Sequence, residues 1–153
     1  INVEKGYVNK IEDFEWILGS KECIKYLNDN NYHVFVVTNQ SGIARGYYTE
    51  EDVNILHSFI NNELGKIDAH IDEFFYSPFH PEHNDKFSNL SHLRKPNVGM
   101  LDLASKKWKI DKSNSFMIGD KDIDIECAKN FGIRGHLYKD GNLLNFIRLS
   151  ENI

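Results

Sequence analysis

Hydrophobic positions along the chain fall into short blocks separated by polar stretches. Cys23, Ile24 and Leu27 follow Gly19-Ser20 at helical spacing, and the asparagine-rich segment 28–31 ends that helix. Residues 33–37 (HVFVV) are nearly all apolar and rich in β-branched side chains, the pattern of a strand buried on both faces of a parallel sheet. Thr49 followed by Asp52 marks a helix start in a variant of the capping box. That helix is predicted to run to about Leu64, with Val53, Leu56, Ile60 and Leu64 inward and Gly65 as its stop. Segments 71–76, 115–118 and 135–138 read as further strands. Residues 100–108, the Ile123, Cys127 and Phe131 face, and 143–149 read as helices. Residues 1–11 carry no stable period, and the polar stretch 77–96 is long enough to be a functional loop.

Strands and helices that alternate in this way predict an α/β fold, a three-layer doubly wound parallel sheet formed by residues 1–153 as a single domain without a separate cap. In such sheets ligands bind outside the carboxyl ends of the strands. Three places are thereby selected: Thr38 onward, Ser77 onward, and Gly119-Asp120 onward.

Composition narrows the functional classes. The chain has 153 residues, 41% of them hydrophobic and 27% charged, with formal net charge −5. This is the profile of one ordinary globular domain. No stretch approaches the roughly 18 consecutive apolar residues of a membrane span, and the first ten residues lack the apolar core of a signal peptide. A cytoplasmic location is expected, with no membrane partner. The acidic balance supplies no basic stripe for nucleic acid. Cys23 and Cys127 are too few for a disulfide framework or a cysteine zinc site and read as buried thiols. An anionic ligand must then be held by a few placed cations or by a metal ion.

The candidate chemistry lies at the selected strand ends. Thr38-Asn39-Gln40-Ser41-Gly42 offers hydroxyl and amide donors to a phosphoryl group. Gly119-Asp120-Lys121-Asp122-Ile123-Asp124 spaces carboxylates around a lysine, a hard-oxygen set of the kind that holds Mg²⁺ beside substrate phosphate. Arg94-Lys95-Pro96 adds two cations next to a fixed backbone. Each motif alone also fits a plain turn, a solvated pair or a helix start. Their order and their position directly after apolar strands give them weight.

With its order Thr, Lys, Asp, the chain resembles the haloacid dehalogenase-like phosphohydrolases. Residues 36–52 (VVTNQSGIARGYYTEED) are similar to the heptose 1,7-bisphosphate 7-phosphatase branch, whose nearest relative is histidinol phosphatase. The similarity extends from 1–8 (INVEKGYV) through 94–101 (RKPNVGML) to 117–124 (MIGDKDID). This resemblance implies a Mg²⁺-dependent phosphatase that hydrolyses a sugar bisphosphate through an aspartyl-phosphate, serving lipopolysaccharide or capsule precursor synthesis. It implies that Thr38 and Lys95 stabilise the transferring phosphoryl group, that Asp120 ligates Mg²⁺, and that Asp124 is an auxiliary or orienting carboxylate. Glu4, Lys5, Gly6, Tyr7, Asn39, Gln40, Ser41, Arg94 and Lys121 would bind a small sugar phosphate. A monomer is expected.

The chain departs from the family pattern in two respects. The family carries a strand ending in Asp-x-Asp-Gly upstream of the Ile-Asn-Val segment, its first Asp the nucleophile and its second the general acid/base. Glu4, Asp13 and Glu15 do not follow an apolar strand and are read as loop charges. A longer native protein is expected, by about fifteen residues, and without that strand the chain is expected to be inactive. Many relatives also bind structural zinc in the 77–96 loop through Cys-x-His and Cys-x-Cys pairs. The matching positions here are Ser77, Phe79, Ser91 and Leu93, so no zinc is expected, and His80, His83 and His92 read as surface imidazoles. Two alternatives stay open at this level: a phosphatase for histidinol phosphate or another small phosphomonoester, and a non-catalytic protein that binds a phosphorylated ligand.

Overall fold

The computed structural model describes residues 1–83 and 86–153. Helices and strands alternate as the periodicity predicts: α1 Ser20–Asp29, β1 Phe35–Asn39, α2 Glu50–Gly65, β2 Glu73–Ser77, α3 Gly99–Lys107, β3 Phe116–Gly119, α4 Asp122–Phe131, β4 Arg134–Leu137 and α5 Leu143–Glu151. Short 3₁₀ turns lie at Ile11–Asp13 and, within the expected polar loop, at Ser88–Leu93. Among the described residues no helix is long and apolar enough to cross a membrane. The chain divides into two compact units, one made of Ile1–Val36, Gly46–Phe74 and Asp140–Ile153, the other of Val37–Arg45 and Phe75–Lys139.

In the first unit, α2 begins with the capping box anticipated from Thr49 and Asp52. The Thr49 hydroxyl accepts from the Asp52 amide at 3.2 Å, and the Asp52 carboxylate accepts from the Thr49 amide at 2.8 Å. Leu56, Ile60 and Leu64, one helical face of α2, pack with Ile24 of α1 and with Ala69 and Ile71 to form a buried cluster. Asn61 donates to the Ile71 carbonyl at 2.9 Å and accepts from the Ile71 amide at 2.8 Å, which ties α2 to the approach of β2. An isolated antiparallel bridge joins Asn2 to Trp16, so the segment read as structureless is pinned at one point.

In the second unit, β3, α4 and β4 form a βαβ element. The two strands are parallel, with Phe116 opposite Arg134 and Gly119 opposite Leu137. Met117, Cys127 and Ala128 make its core, flanked by Val37, Val98, Leu101 and Ile133. Gly132 ends α4 in the left-handed region, at φ 88°, a conformation open to glycine without strain. Burial pushes the Cys127 thiol up, and its Sγ donates to the Asn97 carbonyl at 3.3 Å. Cys23, in the first unit, is pushed up by burial to about 11. Both are inert packing thiols, as their number and spacing suggested.

One expectation is corrected. The first strand begins at Phe35 and extends to Asn39, two positions later than the apolar run, and its residues are half-buried. Among the described residues the strands pair β1 with β2 and β3 with β4, the latter pair parallel as predicted. The end of a strand is decided by its ladder partners and not by its own composition.

Candidate active site

The second unit gathers the residues of three separated motifs. Thr38 lies near the end of β1, where its hydroxyl accepts from the Gln40 side-chain amide at 3.2 Å. The following turn is fixed by the Ile43 amide on the Gln40 carbonyl at 3.1 Å and by the Gln40 amide on the Ser77 carbonyl at 2.8 Å. Segment 38–41 is thereby tied to the end of β2. Asn39 and Ser41 are half-buried in this turn.

Lys95 joins the motifs. Its ammonium donates to the Val37 carbonyl at 2.8 Å and lies 2.7 Å from Asp124 Oδ1. Its backbone is held as well: the Asn39 side chain accepts from the Lys95 amide at 3.0 Å and donates to the Lys95 carbonyl at 3.2 Å. Motif reading placed Asn39 in a substrate pocket. The structure shows its amide group committed to the main chain of Lys95, a contact that residue order alone does not reveal.

Asp124 holds the cation in place. It is 3% exposed. One oxygen faces Lys95, and the other accepts from the Lys121 amide at 3.1 Å, closing the first turn of α4. A carboxylate at this position also faces the positive end of the helix dipole. Gly119 permits the arrangement, because a Cβ there would overlap the Asp124 side chain. With both oxygens occupied, Asp124 orients Lys95. Asp120, by contrast, is exposed at the C-terminal end of β3, and its carboxylate has no hydrogen bond or ion pair among the described residues. An accessible hard-oxygen ligand without a protein partner fits Mg²⁺, which takes one or two carboxylates together with phosphate and water. Lys121 is exposed beside it.

Arg94 and Lys95 are adjacent, yet their side chains have different partners. Arg94 Nη1 donates to the Phe79 carbonyl at 3.3 Å. Near Phe79 the structure assembles a group that the sequence reading left apart. Arg45 Nη2 is 2.7 Å from His80 Nε2, and Nη1 is 3.4 Å from His83 Nε2. His80 is therefore a half-buried partner of Arg45, where a surface imidazole was expected; its neighbours are brought in by tertiary folding and leave no local signal. His83 and His92 are exposed, as expected. Ligand atoms of His80, Glu82 and His83 lie within 4.8 Å of one another, but a guanidinium charge on His80 Nε2 opposes a cation there. Ser77 and Leu93, which stand at positions where many relatives have zinc cysteines, are buried.

Glu4, Lys5, Gly6 and Tyr7 belong to the first unit. There Glu4 Oε1 accepts from the Gly6 amide at 2.8 Å, Lys5 pairs with Glu15 at 2.7 Å, and the Tyr7 ring meets Tyr47 edge-on at 5.0 Å.

Residues 92–144, the stretch from the end of the polar loop to the start of α5, match a HAD-hydrolase-like family model. Over 150 residues the chain is 40% identical to a D-glycero-beta-D-manno-heptose-1,7-bisphosphate 7-phosphatase of Rhodopseudomonas palustris, covering 97% of this chain and 83% of that protein. It is 38% identical over 144 residues to the D-glycero-alpha-D-manno-heptose-1,7-bisphosphate 7-phosphatase of Photorhabdus laumondii, covering 93% and 79%. The fold is similar to the crystal structure of a D,D-heptose 1,7-bisphosphate phosphatase from B. bronchiseptica complexed with magnesium and phosphate. The TM-score is 0.81 at 25% identity, over 97% of this chain and 80% of that one.

Proposed function

The chain belongs to the family of the HAD-like heptose 1,7-bisphosphate 7-phosphatases, and on that premise we propose that it hydrolyses the 7-phosphate ester of a heptose 1,7-bisphosphate with Mg²⁺ as cofactor. The observation that carries this reading is the Lys95 ammonium, held 2.7 Å from a buried carboxylate and 2.8 Å from the carbonyl that precedes Thr38.

In phosphoryl transfer the protein acts chiefly by positioning and by stabilising negative charge on the equatorial oxygens. Lys95 is suited to this because its ammonium does not have to be ordered during the reaction: Asp124 and the Val37 carbonyl already hold the ammonium, and Asn39 holds the Lys95 main chain. Thr38 adds a hydroxyl donor, with Gln40 beside it. Asp120 would hold the metal, which supplies charge neutralisation and a template for the phosphate oxygens when bound. Arg94 and Lys121 would contact the sugar phosphate. Asn39, Gln40 and Ser41 would shape the phosphate end of the pocket. In this scheme the residues of the second unit stabilise charge; they do not attack phosphorus.

Phosphate release from heptose 1,7-bisphosphate by the full-length protein tests the reading. Activity should require Mg²⁺ and disappear with EDTA. Thr38→Ala should lower kcat by about 10²-fold, the loss typical of one preorganised donor, and Asp120→Asn should lower it at least as far. Turnover that is unaffected by EDTA and by both substitutions would refute it.

A further inference from the structure

The loop that carries Lys95, residues 94–97, is held at every carbonyl. The Asn97 amide donates to the Arg94 carbonyl at 2.9 Å, the Asn39 side chain to the Lys95 carbonyl at 3.2 Å, Asn130 Nδ2 to the Pro96 carbonyl at 3.4 Å and Cys127 Sγ to the Asn97 carbonyl at 3.3 Å. The first of these closes an ordinary turn. The other three come from side chains distant in sequence, and two of them belong to α4.

α4 also supplies Asp124, whose carboxylate lies 2.7 Å from the Lys95 ammonium. Asp124, Cys127 and Asn130 are spaced by three residues, so they follow one side of the helix. One rigid element therefore holds the lysine at both ends: the ammonium through Asp124, and the main chain just beyond Lys95 through Asn130 and Cys127. The chemistry of the two donors suits their places. Cys127 is 1% exposed, and burial keeps its thiol protonated, so the S–H is available as a donor inside the packed βαβ core. Asn130 is exposed and reaches the loop from the rim.

We propose that Cys127 and Asn130 are positioning residues for Lys95: by holding the carbonyls of the two residues after it, they fix the backbone from which the ammonium reaches the transferring phosphoryl group. A lysine side chain is long and flexible, and a misplacement of about 1 Å at a reacting centre can cost as much as 10²-fold in rate. Clamping the backbone as well as the ammonium removes that freedom before substrate arrives. The proposal rests on the phosphatase reading given above.

The test uses the full-length enzyme with Mg²⁺ and heptose 1,7-bisphosphate, and reads kcat together with the Ki of inorganic phosphate, which does not depend on the fraction of enzyme that is folded. Cys127→Ala should lower kcat by about threefold to tenfold, the equivalent of one hydrogen bond, and raise the Ki by a similar factor. Asn130→Leu, at an exposed position where the fold loses little, should change both by about twofold to threefold, in keeping with its longer bond. Cys127→Ser, which keeps a donor, should recover most of the loss. Cys23→Ala, at the buried thiol of the first unit, should leave both quantities at their wild-type values. A Ki unchanged in both Cys127→Ala and Asn130→Leu would show a merely structural role and overturn the proposal, as would a Cys127→Ser variant no better than Cys127→Ala. If the wild-type enzyme neither releases phosphate nor is inhibited by it, the functional reading itself fails; an active wild type with unaffected variants leaves that reading standing and removes this proposal alone.

Discussion

Replacing Asp124 by asparagine keeps the shape of the side chain and removes its charge, so it isolates the electrostatic role of the residue. In the wild type the Lys95 and Asp124 side chains are 12% and 5% exposed and 2.7 Å apart. Breaking a buried ion pair by neutralising one partner costs about 3–5 kcal/mol, because the remaining charge stays desolvated. The Val37 carbonyl continues to accept from Lys95, which places the expected loss near the lower end, about 3 kcal/mol. For a protein of this length that corresponds to a fall in Tm of about 6–12 °C, measurable by circular dichroism at pH 7.

A double variant, Lys95→Met with Asp124→Leu, separates charge from packing. Replacing both partners with apolar side chains removes the uncompensated charge and should recover most of the stability, less the hydrogen bond to the Lys121 amide, about 1 kcal/mol. Phosphatase activity should be lost in the double variant, since no cation remains at the strand end. The two substitutions should therefore be strongly non-additive in stability, as for groups in direct contact. A Tm for Asp124→Asn within 1 °C of wild type, or strictly additive effects in the cycle, would refute the role given to this pair.

Two further outcomes concern stability in the first unit. Thr49→Ala removes the hydroxyl that caps α2 and should lower Tm by about 2–4 °C; thermal unfolding at neutral pH checks this, and Thr49→Ser should restore most of the loss. Burial pushes the His57 imidazole down from 6.5 to about 4, so between those values the unfolded chain binds more protons than the folded one. Stability should accordingly fall as the pH drops from about 6.5 toward about 4. His57→Phe, which preserves the stack on Phe74 at 4.2 Å, should make Tm flatter across that range; an equally steep fall in the variant would remove His57 as its cause.

How much of this was legible in the sequence depends on the range of the interactions involved. Helix faces are set by a local period, so Val53, Leu56, Ile60 and Leu64 were placed correctly on the buried side of α2. The Thr49 cap needs only contacts three residues apart, and it too was visible in the order of residues. The strand ends were displaced by up to two positions, because the end of a strand is decided by its ladder partners and not by its own composition. Site residues were legible as types at strand ends, together with a resemblance carried by long motifs.

What tertiary structure alone decided is the set of partners. Asn39 reaches the backbone of Lys95, Lys95 reaches Asp124, and Arg45 reaches His80 across separations in sequence that no periodicity encodes. Each of these contacts depends on where the chain turns after a strand, and on which buried polar group must find a partner once water has been excluded. By itself the sequence determined the α/β alternation, the inward faces of the helices and the chemical types at the strand ends. The fold decided that Asp124 orients a cation while Asp120 remains accessible, because the two carboxylates differ in burial and in hydrogen bonding although they lie four residues apart in the same motif.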